Sequence, residues 1–144
     1  MSLSAACLFG ADPLAGTWKL ELSESRFNPG PAPVSQTRTY RPTAEGLEVT
    51  VATTTSDHKV TQVEFPAIYD GKVYPVKGPG PIDALQLEKV NNFQSRATLK
   101  HAGKVIATAE RTISEDGKVL TIAYKETEGD SPADNVLVYR KTGR

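Results

Sequence analysis

Gln36, Arg38 and Tyr40 alternate along Ser35-Gln36-Thr37-Arg38-Thr39-Tyr40-Arg41-Pro42, a run with the period of a strand but with no aliphatic face. If those three residues point inward, a guanidinium enters a mostly apolar interior. There it must meet a carboxylate, a carbonyl, water or an anionic ligand. If Thr37 and Thr39 point inward instead, Arg38 lies on the surface and the run is an ordinary polar strand. Both arrangements are open from the sequence, and the first makes Arg38 an anchor for an acidic group.

Proton transfer is the second chemistry to weigh, because a closed pocket needs one acid, one base and an enforced substrate shape to carry it out. Glu64 or Glu110 are the candidate bases, and Tyr40, Tyr124 or His101 the candidate acids. Alternation turns both glutamates to solvent, and His58 and His101 fall at hairpin tips. The chain has no Gly-x-Ser-x-Gly elbow, no His-Glu-x-x-His, no Gly-x-x-x-x-Gly-Lys and no Cys-x-x-Cys. The single Cys7 excludes an internal disulfide, and two histidines without a nearby thiol make a poor zinc or haem set. No cofactor, no metal and no catalytic residue is therefore expected. A cofactor-free isomerase or cyclase stands behind simple binding.

Seventeen Lys plus Arg balance seventeen Asp plus Glu in 144 residues, so no basic excess draws nucleic acid. No stretch approaches the roughly 18 apolar residues of a membrane-spanning helix. The length suits one domain with one core.

These residues must be positioned by strands, since β-favouring runs alternate with turn signals at near-regular spacing and no stretch has a helical period. Ten strands are expected, at about 16–22, 35–42, 47–54, 59–69, 72–76, 83–90, 93–100, 104–113, 118–126 and 135–141. Alternate junctions are short and tolerant of positive φ: Ala44-Glu45-Gly46, Asp70-Gly71, Asn91-Asn92 and Glu115-Asp116-Gly117. The others, above all Asn28 to Pro33, Lys77 to Pro81 and Glu128 to Ala133, are mostly longer and stiffened by proline. In an up-and-down meander every second junction lies at the same end, which predicts an antiparallel β-barrel with a plain floor and an elaborated mouth carrying both histidines. Pairing of the first and last strands would close it and remove both edges. Pro66 interrupts the fourth run and marks a bulge or a split strand.

Alternation assigns the inward face to Trp18, Leu20, Leu22, Leu47, Val49, Val51, Val63 and Phe65, then to Leu85, Leu87, Phe93, Ala97, Leu99, Val105, Ala107, Ala109, Leu120, Ile122 and Tyr124. Ser95, Ala97, Ala107 and Ala109 give one wall of small side chains, too little volume to fill such a barrel. A ligand cavity follows, unless Phe65, Phe93, Tyr69 and Tyr74 reach across and fill it. The expected ligand-binding residues are Arg38, Tyr40, Phe65, Tyr74, Ala97, Ala107 and Tyr124. A filled core would instead suit a structural or protein-interaction domain, with an apolar patch around Phe27 and Ile82 at the mouth.

Residues 1–11 precede the barrel expected over 12–144, and their apolar Leu3, Ala5, Ala6, Cys7, Leu8 and Phe9 have no periodic partner. They are expected to be the remnant of a secretory signal, and Ser4-Ala5-Ala6-Cys7 resembles, imperfectly, a lipoprotein cleavage box.

Gly16-Thr17-Trp18, the ten-strand meander and Tyr139-Arg140 in the last strand resemble the lipocalin and fatty-acid-binding superfamily. That resemblance implies a cation–π contact of Arg140 over Trp18 at the closed end. Ser25-Arg26-Phe27, Pro29-Gly30-Pro31-Ala32-Pro33, Tyr69-Asp70-Gly71-Lys72-Val73-Tyr74-Pro75-Val76 and Ser114-Glu115-Asp116-Gly117-Lys118 add a resemblance, over residues 13 to 141, to a family of exported bacterial lipocalin-like (calycin-type) domains. It implies a periplasmic, secreted or outer-membrane location and a small apolar or amphipathic ligand, and carries no assigned activity.

Overall fold

In the computed structural model, which describes residues 12–142, ten antiparallel strands wind into a nearly closed up-and-down barrel. They are β1 (Gly16–Leu20), β2 (Ser35–Pro42), β3 (Leu47–Thr54), β4 (Val60–Ala67), β5 (Val73–Pro75), β6 (Ala84–Asn91), β7 (Gln94–His101), β8 (Lys104–Ile113), β9 (Val119–Glu126) and β10 (Asp134–Thr142). Each strand follows from a run of alternating, β-favouring residues, and each floor turn from the Gly, Asn or Asp that ends the run. The leader expected over residues 1–11, Cys7 included, lies outside the described residues.

The sheet order runs β4-β3-β2-β1-β10-β9-β8-β7-β6-β5, so β1 pairs with β10 as the meander requires. Closure is nonetheless incomplete, and both edges survive where β4 faces β5. The seam is held by one bridge, in which the Glu64 N–H donates to the Lys77 carbonyl and the Lys77 N–H to that of Glu64, each at 2.8 Å. Pro66 is the reason the ladder stops there. It shares the parity of Glu64, so the N–H it lacks would have pointed across the seam. It neither bulges nor splits β4, which stays in register with β3 from Leu47↔Ala67 to Thr54↔Val60. Gly78 (φ +121°) lies against the other side of the seam, where a Cβ would come within 2.4 Å of the Gln62 carbonyl oxygen.

The core is Trp18, Tyr40, Tyr139, Leu87, Leu120 and Val49 at full burial, with Leu14, Leu20, Leu47, Phe65, Leu85 and Ile122 around them. Three expected inward residues depart from this. Leu22 is 42% exposed because the chain leaves β1 into a 3₁₀ turn over Leu22–Glu24. Phe93 is 40% exposed in the floor turn between β6 and β7. Val105 is 38% exposed because the register shifts from Leu99↔Ala107 to Lys100↔Val105, and the extra residue Ile106 reverses the alternation.

Arg140 does not lie over Trp18. Tyr139 is fully buried, so alternation turns Arg140 outward, where its guanidinium grips the Glu24 carboxylate at 3.0 Å. The cation above Trp18 is Lys141, which pairs with it across β1 and β10 and places Nζ 5.4 Å from the ring centroid. The indole N–H donates to the Leu14 carbonyl at 2.9 Å and satisfies the buried ring.

Candidate ligand-binding site

The cavity begins with volume. Ala97 and Ala109 oppose one another across β7 and β8, Leu99 opposes Ala107, and Ser95 opposes Arg111. Directly opposed pairs stand closest in an antiparallel sheet, so two facing alanines leave a hollow that no neighbour on that wall fills. A cavity of about 280 Å³ occupies it, walled by aliphatic side chains of β3, β4, β6 and β7 and roofed by Pro79, Gly80, Pro81 and Ile82 from the β5–β6 loop. A second, wider space of about 460 Å³ lies beside it beneath Phe27, Pro31, Ala32 and Pro33, against Leu137 of β10. At the floor, around Asp12, Tyr69 and Phe93, the free space falls to about 10 Å³. Every loop residue lining the two large spaces belongs to a proline-rich or hairpin junction at one end. The mouth is where the turn chemistry placed it.

Arg38 points inward. It faces Trp18 on β1 and Val51 on β3, lines both spaces, and carries Gln36 beside it in the same walls. Its Nε donates to the Tyr40 hydroxyl at 3.2 Å, and its guanidinium carbon lies 5.8 Å from the Tyr40 ring and 5.7 Å from the Tyr139 ring. The Tyr139 hydroxyl donates to Gln36 Oε1, and Gln36 Nε2 donates in turn to Thr53 Oγ1 at 3.0 Å. This chain of bonds fixes the cation and its neighbours in place.

A second guanidinium enters the same cavity. Arg111 of β8 is 4% exposed, its Nε donates to Ser95 Oγ at 3.2 Å and its Nη2 to the Tyr69 hydroxyl at 3.4 Å. The sequence signal for it was present, because Arg111 continues the parity of Ala107 and Ala109, and the inward face assigned to this strand ended one step too soon. Among the described residues neither Arg38 nor Arg111 forms an ion pair, and no carboxylate lines either space.

The tyrosines register this charge. Burial pushes the Tyr40 phenol up, but Arg38 and Arg111 outweigh it and hold Tyr40 below its ordinary value. Burial raises Tyr69 and Tyr139 despite their arginine neighbours. Tyr124, half-buried and donating to Glu126 Oε2 at 3.2 Å, is pushed up to about 12 by desolvation and by that carboxylate. Arg38 is itself held above its ordinary range: burial opposes its charge, and Tyr40 and Tyr139 prevail.

Of the residues expected to bind, Arg38, Phe65, Ala97 and Tyr124 line the cavity. Tyr40 lies behind Arg38 and supports it. Ala107 is fully buried outside the lining, and Tyr74 is turned to the β4–β5 junction, where its hydroxyl donates to Asp70 Oδ2 at 2.6 Å. Glu110 points to solvent and pairs with Arg96 at 3.3 Å. Phe27 and Ile82 are half-buried walls of the cavity instead of an exposed patch. His101 at the mouth holds the β5–β6 loop, its Nδ1 2.6 Å from the Pro81 carbonyl oxygen and 3.4 Å from Asp83 Oδ2. No group of three or more metal-ligating side chains and no helix long and apolar enough to span a membrane occurs among the described residues. No family model, no curated protein and no solved structure matches this chain.

Proposed function

We propose that the barrel binds a small, largely apolar molecule bearing an acidic group, admitted at the proline-rich mouth and anchored by Arg38 and Arg111. The observation that carries this reading is the pair of guanidinium groups in an apolar cavity with no carboxylate to meet them. An isolated charge in such a wall is costly, and a bound anion removes that cost through charge-assisted, two-pronged hydrogen bonds. Aliphatic walls supply the rest, at about 25 cal/mol for each Å² of apolar ligand surface taken from water. Membership of an exported bacterial lipocalin-like family belongs to the same proposal, supported by the Gly-Thr-Trp start and the ten-strand meander, and fractionation of the producing cells tests the location.

Native mass spectrometry of the protein purified from its own host, followed by small-molecule analysis of whatever it releases, tests the binding reading. The expected result is a stoichiometric organic acid that is lost from Arg38→Ala. A barrel that emerges empty and takes up no aliphatic carboxylate in titration would sink it.

A further inference from the structure

The two spaces at the mouth share Gln36, Arg38 and Thr53 on one side and Ile82, Ile122 and Tyr124 on the other. Arg38 therefore stands where they meet, with apolar wall in both directions. Toward β7 and β8 lie Ala97, Leu99 and Ala109, and toward β10 lie Phe27, Ala32 and Leu137. An amphiphile with one straight tail, its acidic group on Arg38, fills one space and leaves the other wet.

Resting on the binding reading above, we infer that the ligand is a forked anionic amphiphile: an acidic group bearing two apolar arms, one in each space. The anion sits at the fork because Arg38 does, held from the β8 side by Arg111, which lines the inner space and not the outer one. The inner arm is the more confined, since its space is about 280 Å³ against about 460 Å³ for the outer one. The outer arm runs beneath Pro31, Ala32 and Pro33, a rigid apolar roof that loses little freedom on covering it. A hydroxyl or amide on the outer arm has partners in Thr55, Ser56 and Asn135, whereas the inner arm meets an almost wholly aliphatic wall.

Two isomeric acids separate the possibilities: linear hexadecanoate, and α-hexyldecanoate, which has the same atoms with the carboxylate at a fork. Binding of each to the full chain is measured by titration calorimetry, with the stoichiometry read by native mass spectrometry. The forked acid is expected to bind one to one and about tenfold or more tighter than the linear one. Ala32→Trp, placed in an exposed loop over the outer space, is expected to erase that preference while the linear acid still binds. Thr55→Trp, from the opposite wall, provides the same test should the first variant disturb the loop. Ala97→Leu is expected to weaken both acids. Equal or tighter binding of the linear acid, two linear acids per barrel, or a preference that survives both tryptophan variants overturns the fork and leaves the binding reading intact. If neither acid binds the unaltered protein, both readings fall together.

Discussion

The two ends of this barrel are made of the same strands and differ in what those strands point inward. Around the floor, Trp18, Leu20, Leu120 and Tyr139 meet, all buried, across β1, β10 and β9, and a floor space beside Asp12, Tyr69 and Phe93 holds about 10 Å³. Toward the mouth, Ala97 faces Ala109, and a cavity of about 280 Å³ opens. Strand number sets the width of a barrel, but the volume of the inward side chains decides where along its axis it is hollow. The polar groups divide in the same way. The floor's indole N–H has a carbonyl partner, whereas the guanidinium groups at the cavity have hydroxyls and no counter-charge. One end is close-packed and the other holds charge without a counter-charge.

The sharpest way to break the comparison is to hollow the floor. Trp18→Ala is expected to cost about 3 to 5 kcal/mol in denaturant unfolding, since the neighbours of a fully buried indole cannot collapse into its place. A loss below about 1 kcal/mol would show that the floor is no better packed than the mouth. The seam between β4 and β5 comes next. Gly78→Ala puts a methyl against the Gln62 carbonyl in a backbone conformation that side chains avoid, and is expected to cost about 1 to 3 kcal/mol. Amide exchange should quicken at Glu64 and Lys77 first, and uniform quickening across the barrel would argue against a local seam.

Filling the hollow end should act in the opposite direction. Ala109→Leu is expected to raise stability by about 1 kcal/mol while weakening uptake of an aliphatic acid, because it fills part of the cavity that the proposed ligand would occupy. Loss of stability instead would mean that the wall is already close-packed. The smallest effect is electrostatic. Of the five tyrosines, Tyr40 alone is held below its ordinary value of 10.0, and Tyr69, Tyr74, Tyr124 and Tyr139 are raised. As pH rises, the folded Tyr40 loses its proton before the unfolded chain would, so its contribution to stability is absent below the folded pKa. It grows through the folded pKa and is complete above 10.0. The raised tyrosines act in the opposite sense at still higher pH. Ultraviolet titration should show one phenolate ahead of the rest, missing in Tyr40→Phe and shifted upward when an anion occupies the site. A first step that survives Tyr40→Phe would remove the claim that Arg38 and Arg111 hold this phenol below its ordinary value.

Most of the fold was legible because the strand period and turn chemistry agree. β2, β3 and β8 match their expected limits residue for residue, and the division into a turn-rich floor and a proline-rich mouth follows from parity. Leu22 and Val105 were misplaced for one shared reason, whereas Arg140 over Trp18 was implied by resemblance alone and the regular β1–β10 ladder puts Lys141 there instead. Period-2 alternation survives only while the ladder is regular, and a 3₁₀ turn or a bulge reverses the face. Tyr74 and Ala107 were expected at the ligand by facing alone, yet facing inward differs from bordering the empty part of the interior.

By itself, then, the sequence determined the class of the molecule and the polarity of its ends, since hydrophobic alternation, turn residues and prolines act over a few residues and need no distant partner. It also marked Arg38 as the residue whose placement mattered. The tertiary structure decided that this guanidinium turns inward, that Arg111 arrives from a strand 73 positions further along the chain to share its cavity, and that no carboxylate accompanies them. Those outcomes depend on which strands close around a common space, and local sequence carries no measure of the charge on the opposite wall.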